Sequence, residues 1–381
     1  MDTDRDKAAG SNAGRTGAVD ASGASEATAG KETGAKRTIL EVRNLTKHYS
    51  IRNSALLEKN RKQVHAVDGV SFSIREGETL GLVGESGCGK STVGRLLVGI
   101  EKPTSGEILY RGQDLVHMSG KNIGAIRTEL QMIFQDSYSS LNPRKRVYDI
   151  LSEPMLYHKL ADRSTVDARV DELLEEVGLP KNAKRRYPHE FSGGQRQRIS
   201  IARALSLNPS LIVCDEPVSA LDMSIQAQIL NLLKDLQDRL GVTYLFIAHG
   251  LGAVHYVSQR IAVMYLGQIV EMGESDEVFR HPVHPYSRAL ISAVPVADPS
   301  RHVLDHVLAE GEVPSPIDLP EGCRFAGRCP YATDRCRREQ PLPVNVAAAK
   351  EPEHLVACFE AERLLAEKRA EAAGKRKEGV Q

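Results

Sequence analysis

The sequence predicts an α/β fold built on a mainly parallel sheet, and three observations predict it. The runs TLGLVG (79–84), SLIVCDEP (210–217) and VTYLFIAHG (242–250) are almost wholly apolar, as strands are when both faces of a sheet are covered. The last two are joined by MSIQAQILNLLKDLQDRLG (223–241), a crossover helix, and strands alternating with helices give parallel sheets. The first run opens into GESGCGKST, a glycine-rich turn leading into a helix.

The elements follow in order. Residues 1 to about 37 carry few large apolar side chains and read as a disordered tail. TILEVRNLTKHYS (38–50) and VDGVSFSI (67–74) alternate apolar and polar residues as strands do, and REGE (75–78) is a turn before the first buried run. STVDARVDELLEEVG (164–178) is an amphipathic helix, with Ser164 as its cap, Val166, Val170, Leu173, Leu174 and Val177 on one face, and Gly178 as its stop. HPVHPYSRALISAVP (281–295) opens a proline-punctuated extension, and the last twenty residues are a charged, frayed helix. No internal repeat is present.

Composition narrows the function. With 41% hydrophobic residues the chain can bury a large core. Fifty basic side chains balance fifty acidic ones, which argues against a chain-wide surface for nucleic acid. No apolar run approaches the ~18 residues of a membrane span, so a membrane role is borrowed from a partner. The N-terminus lacks the apolar centre of a secretory signal, which places the chain in the cytosol. Cysteines there are mostly reduced, and clustered ones more often bind metal or react than form disulfides.

Gly84 to Ser91 match G-x-x-x-x-G-K-[ST]. In such a loop (Gly84, Glu85, Ser86, Gly87, Cys88, Gly89, Lys90, Ser91, Thr92) the glycines let successive N–H groups face one phosphate. The helix beginning near Lys90 adds its dipole, Lys90 neutralises the outer phosphates and the Ser91 hydroxyl ligates Mg²⁺. The bland alternative is a plain strand-to-helix turn. At the end of LIVCDEP, Asp215 and Glu216 point to opposite sides as strand neighbours do, so Asp215 reaches Mg²⁺ while Glu216 polarises a water. An ordinary acidic turn reads the same in isolation.

FSGGQRQRISIARAL (191–205) decides between these readings. With the phosphate loop and CDEP, it resembles the ATP-binding cassette (ABC) family, whose usual LSGGQ here begins with Phe191. IFQD supplies Gln135, SALD supplies Asp222, IAHG supplies His249, and KHYS supplies Tyr49 as the adenine-stacking ring. Taken singly, each is as readily a satisfied polar group or a core aromatic. The resemblance implies a P-loop NTPase ABC cassette over 38–280. It has a mainly parallel core sheet, an antiparallel β subdomain and a helical subdomain at about 136–205, with a small C-terminal cysteine-rich lobe over 281–361 and a charged tail at 362–381. It implies that Glu216 is the general base, that His249 and Gln135 act beside it, and that Ser91, Gln135 and Asp215 hold Mg²⁺. It implies also that Ser192, Gly193, Gly194, Gln195 and Asp222 contact ATP bound to a second cassette. The family usually has Asp after the histidine; Gly250 stands there and puts the rigidity of that loop in doubt.

IRNSALLEKNRKQVHAVDGVSF, DSYSSLNPR, SALDMSIQAQILNLL and HPYSRALISAVP look like the ATPase subunits of dipeptide and oligopeptide importers, closer to the second of their two ATPase types. The partners implied are a second ATPase in a heterodimer, two integral membrane permeases and an external solute-binding protein, on the cytoplasmic face of the membrane. An importer of nickel or another small solute, a soluble cassette ATPase, or a metal or redox sensor are the alternatives. A single cassette with no room for a coiled-coil insertion between Gly89 and Ser192 weighs against the soluble ATPases.

Cys323, Cys329, Cys336 and Cys358 remain, separated by five, six and twenty-one residues. Structural zinc sites usually use closer pairs. Loose spacing also suits a [4Fe–4S] cluster, and the resembling importer ATPases carry this pattern, some with such a cluster. Zn²⁺ and unmetallated thiols are the alternatives. Arg324, Arg328 and Arg335 are expected to offset the anionic charge of four thiolates.

Overall fold

The computed structural model describes residues 37–51, 62–118, 121–293, 314–349 and 351–367. The expected N-terminal tail before residue 37, most of the 51–62 stretch, and the charged tail beyond 367 lie outside them.

Along the chain, β1 (Thr38–Ser50), β2 (Gln63–Arg75) and β3 (Thr79–Val83) lead to α1 (Lys90–Leu97). β4 (Ser105–Tyr110), β5 (Gln113–Asp114), α2 (Lys121–Glu129) and β6 (Leu130–Ile133) follow. Four helices come next without a strand: α3 (Ser137–Ser140), α4 (Val147–Tyr157), α5 (Val166–Glu176) and α6 (Gly193–Leu205). β7 (Leu211–Asp215), α7 (Met223–Leu240), β8 (Thr243–Ala248), α8 (Leu251–Val257), β9 (Arg260–Tyr265) and β10 (Gln268–Glu274) return to the alternating pattern. α9 (Ser275–Arg280), α10 (Pro285–Ser292), α11 (Asp334–Arg338), β11 (Val344–Asn345) and β12 (Leu355–Val356) complete the described elements.

Two sheets result. β2-β1-β4-β5 is antiparallel throughout, and the larger sheet runs β11-β12-β10-β9-β3-β8-β7-β6, parallel from β9 to β6. The apolar runs are continuous because alternate residues serve two cores. Leu211, Val213, Leu245 and Ile247 pack on one face with α1 and the antiparallel sheet. Ile212, Cys214, Tyr244 and Phe246 pack on the other with α5, α6 and α7. On α5 the five expected apolar residues are all buried. Its expected cap is corrected: Thr165 is the N-cap residue, and the Asp162 carboxylate takes the N–H groups of Ser164 and Thr165 at 2.8 and 2.9 Å. Aspartate wins because its ionised oxygen is the stronger acceptor for the open N–H groups of the turn.

The extension does not stand apart from the cassette. β12 pairs with β10, and Phe325 is buried in the main core. Glu271 on β10 is wholly enclosed and accepts the N–H groups of Val283 (2.8 Å) and His284 (2.9 Å), while His354 Nε2 lies at 2.7 Å. One buried carboxylate thus fastens both ends of the extension to the sheet edge.

His284 Nδ1 in turn accepts the Tyr286 N–H at 3.0 Å and caps α10. Burial pushes this imidazole down to about 4, so it stays neutral in the fold. Unfolded, it takes a proton near pH 6.5, and its contribution to stability is therefore lost as pH falls from about 6.5 to about 4. His284→Asn keeps a capping acceptor and removes the titration. Urea unfolding across that window should show a stability drop shallower than wild type by up to about 3 kcal/mol; equal slopes would contradict the assignment.

Candidate functional site

The parallel strands deliver the predicted residues to one edge. Val83, Asp215 and Ala248 end β3, β7 and β8, and Gln135 follows β6 by two residues. Past Val83, Gly84 and Gly89 have positive φ (157° and 108°), and a Cβ on either would stand 2.1 Å from Met264 O or 2.0 Å from Ala66 O. Only glycine lets the loop close down on β9 and β2 here. Lys90 is buried, its ammonium donating to the carbonyls of Gly84 (2.8 Å) and Glu85 (2.9 Å). The loop wraps a cation and opens at the N-terminus of α1, as an anion site requires. Ser91 Oγ donates to Asp215 Oδ1 at 2.8 Å, and burial raises the Asp215 carboxyl above its ordinary value. These are hard oxygen donors, the set Mg²⁺ prefers, so the residues present fit the ion.

Asp215 and Glu216 do diverge, but not by strand alternation. β7 ends at Asp215, and Glu216 takes a left-handed turn (φ 48°) with its N–H on Ile247 O at 2.8 Å. That turn aims its carboxylate at Gln135 Nε2 (2.8 Å) and His249 Nδ1 (3.6 Å). Three residues from three strand ends therefore converge on one point. Gly250 is the N-cap residue of α8, where a Cβ would meet nothing within 4 Å. The missing carboxylate is no steric necessity. Tyr49 donates its hydroxyl to Glu101, with Lys47 Nζ 4.9 Å from its ring centre.

Ser192 to Gln195 form a capping box, unnoticed in the sequence although S-x-x-Q is its pattern. Gln195 N–H donates to Ser192 Oγ (3.4 Å) and Ser192 N–H to Gln195 Oε1 (3.1 Å). Both are exposed, as is Asp222, which precedes α7. Among the described residues no hydrogen bond joins this turn to residues 84–92. Gly194 lies against α7, where a Cβ would meet Ile225 Cγ2 at 2.5 Å.

Cys323, Cys329, Cys336 and Cys358 line one small cavity with Phe325 and Tyr331, and none is in a disulfide. Burial pushes the Cys329 thiol up to about 11 and Cys358 up to about 12. No three of these sulfurs lie within 4.8 Å of one another. A single zinc with Zn–S near 2.3 Å would need them about 3.8 Å apart. The four thiols around one cavity are soft donors of the kind that iron–sulfur clusters and zinc both take.

The arginine expectation is corrected. Arg324 is committed to Asp68 and the Leu266 carbonyl, Arg328 to Glu85 at 3.1 Å, and Arg335 to Glu339 at 2.9 Å. Each satisfies a nearby carboxylate, a stronger partner than a neutral thiol. A trio not foreseen, His48, His65 and Asp68, also gathers ligating atoms within 4.8 Å. Burial opposes ionisation of Asp68, yet Arg324 and then His48 hold its carboxyl below the usual range. The guanidinium already neutralises it, so a second cation there is disfavoured.

Residues 67–219 match the family described as ABC transporter, and residues 270–336 match the one described as oligopeptide/dipeptide transporter, C-terminal region. The chain is similar to the oligopeptide transport ATP-binding protein AppF of Bacillus subtilis, 49% identical over 85% of this chain and 97% of that one. Similar too are the oligopeptide transport ATP-binding protein OppF of Escherichia coli (49%; 81% and 94%) and the di/tripeptide transport ATP-binding protein DppF of Pseudomonas aeruginosa (46%; 86% and 99%). Among solved structures it resembles the dimeric post-hydrolysis state of the ATP-binding cassette MJ0796 bound to ADP and Pi. That match has TM-score 0.55 and 27% identity, over 62% of this chain and 98% of that one.

The tight seat of Gly89 makes a stability prediction. Gly89→Ala should lower unfolding free energy by about 2 kcal/mol or more, measured in urea, because both its φ and the Ala66 carbonyl oppose a Cβ. Wild-type stability would mean the loop can move away from β2.

Proposed function

The chain belongs to the oligopeptide/dipeptide transport branch of the ABC ATPases, and we propose that it hydrolyses ATP to drive peptide uptake through a membrane importer. The observation that carries the catalytic part is the convergence of Gln135 and His249 on the Glu216 carboxylate. Glu216 takes the proton of the attacking water, His249 holds the γ-phosphate, and Gln135 links this point to the helices α3–α6. Residues 84–92 bind the phosphates, with Tyr49 under the adenine. Ser91, Asp215 and Gln135 would hold Mg²⁺, which would supply charge neutralisation at the phosphates. Ser192, Gly193, Gly194, Gln195 and Asp222 serve the ATP of a partner cassette. The exposure of Ser192, Gln195 and Asp222, and the lack among the described residues of a hydrogen bond from this turn to residues 84–92, support that reading. The partners are a second ATPase, two membrane permeases and an external solute-binding protein. The site of action is the cytoplasmic face of the membrane. No described helix is long and apolar enough to cross it. Peptide as cargo is supported by the relatives named for oligopeptide and di/tripeptide transport.

Glu216→Gln keeps shape and removes the base. Phosphate release should fall by about 10²-fold or more while ATP affinity is kept. Turnover at the wild-type rate would refute the assignment.

The cysteine-rich segment would hold a [4Fe–4S] cluster that fastens the extension, a reading supported by the cavity that Cys323, Cys329, Cys336 and Cys358 share. Anaerobic purification should give about four iron per chain and a broad absorbance band at about 400 nm. A colourless anaerobic preparation with stoichiometric zinc would overturn the cluster.

A further inference from the structure

The turn between Cys323 and Cys329 reaches back to the phosphate loop. Arg328 donates through both terminal nitrogens to the two Glu85 oxygens, each at 3.1 Å, and its side chain is only 11% exposed. Glu85 is held by its backbone as well. Its N–H donates to Tyr286 Oη at 2.8 Å, and its carbonyl takes Lys90 Nζ at 2.9 Å. Four residues earlier, Arg324 grips the Leu266 carbonyl and Asp68, and next to Leu266 the Gly267 N–H donates to Cys88 O at 2.9 Å. Tyr265, Tyr286 and Phe325 fill the space between turn and loop, their ring centres 4.6 to 5.5 Å apart. Two residues of the nucleotide loop, Glu85 and Cys88, are thus held by segments that the cysteine turn itself grips or packs against.

We propose that Arg328 is a positioning residue for nucleotide binding, and that through it the thiol pocket and the phosphate loop share one energetic linkage. The inference rests on the reading of residues 84–92 as the ATP site. Its physical basis is charge and geometry together. Glu85 is an anion at the mouth of a site for a polyanion, so an unpaired carboxylate there repels the ligand. The bidentate guanidinium cancels that charge and pins the side chain to one side. It also keeps the Glu85 carbonyl on Lys90, so the ammonium stays inside the loop. Arg328 directly precedes Cys329, in a turn closed by Arg328 N–H to Phe325 O (3.0 Å) and Cys323 N–H to Cys336 O (2.7 Å). Any change at the sulfurs that shifts this turn moves the guanidinium. Linkage then demands the reciprocal: nucleotide binding alters the thiol pocket by the same factor.

The test uses the full chain with ATP and Mg²⁺. Arg328→Gln should weaken ATP binding about tenfold, with kcat less affected than KM. Arg328→Lys, which keeps the charge and loses the fork, should weaken it about threefold and serves if the first variant melts early. In a Glu85→Gln background, where no carboxylate needs cancelling, Arg328→Gln should cost little more, a non-additivity that general damage does not produce. Arg363→Gln, on an exposed ion pair, should bind as wild type. Saturating ATP should slow amide hydrogen exchange in the turn 323–329 severalfold in wild type and not in Arg328→Gln. Wild-type ATP affinity in a folded Arg328→Gln chain, or exchange in the turn 323–329 indifferent to ATP in wild type, would overturn the proposal and leave the ATP site standing. A wild-type chain that binds no ATP would instead sink the underlying reading.

Discussion

Everything in the site depends on parallel register. A parallel sheet covered on both faces spends its side chains on two cores, so polar chemistry is pushed to the strand ends. Val83 is level with Ala248 and Val263, Ile247 with Asp215, and Cys214 with Ile133. Because every strand from β9 to β6 runs the same way, the residues just past those positions all emerge at one edge, the usual place for ligands in such sheets. Ser91, Gln135, Asp215, Glu216 and His249 need no long-range device to meet. Shifting one strand by a residue would instead exchange its two core faces and scatter the site.

Backbone conformation makes the finer selection. The phosphate loop closes because Gly84 and Gly89 accept φ values that a side chain would resist, against carbonyls of β9 and of β2. Glu216 has no such freedom and still adopts a left-handed turn. Strain of that kind persists only where the surroundings over-determine it. Here the Ile247 carbonyl takes its N–H, and Gln135 and His249 face its carboxylate. The conformation separates two adjacent acids, one buried against Ser91 and one turned toward the mouth.

Legibility followed the range of the determinant. The buried strands, the crossover helix and the loop glycines are local patterns, and their elements formed where periodicity put them. The α5 cap was misread by one residue, Ser164 for Thr165, and the acceptor there is Asp162, a choice that only geometry makes. The meeting of Gln135, Glu216 and His249 came from family resemblance, since nothing local links residues 81 positions apart. The arginines were misread for the same reason. Beside cysteines, Arg324 and Arg328 suggest charge compensation, but their partners Asp68 and Glu85 stand 256 and 243 residues away. No window of sequence shows such a pairing.

That misreading changes what the cysteine pocket must do electrostatically. Arg324, Arg328 and Arg335 are each paired with a carboxylate and do not serve the sulfurs. Burial then dominates, and it raises the Cys323, Cys329 and Cys358 thiols above their ordinary value. At neutral pH these thiols are protonated, so they are poor nucleophiles. That weighs against a role as a reactive redox sensor. Ligation by iron or zinc must displace those protons, which makes loading the pocket strongly dependent on pH and on a metal with high thiolate affinity. A ligated metal would stabilise the thiolates with its own charge. The polypeptide contributes shape and the exclusion of water, and its arginines remain on the carboxylates that tie this turn to the phosphate loop.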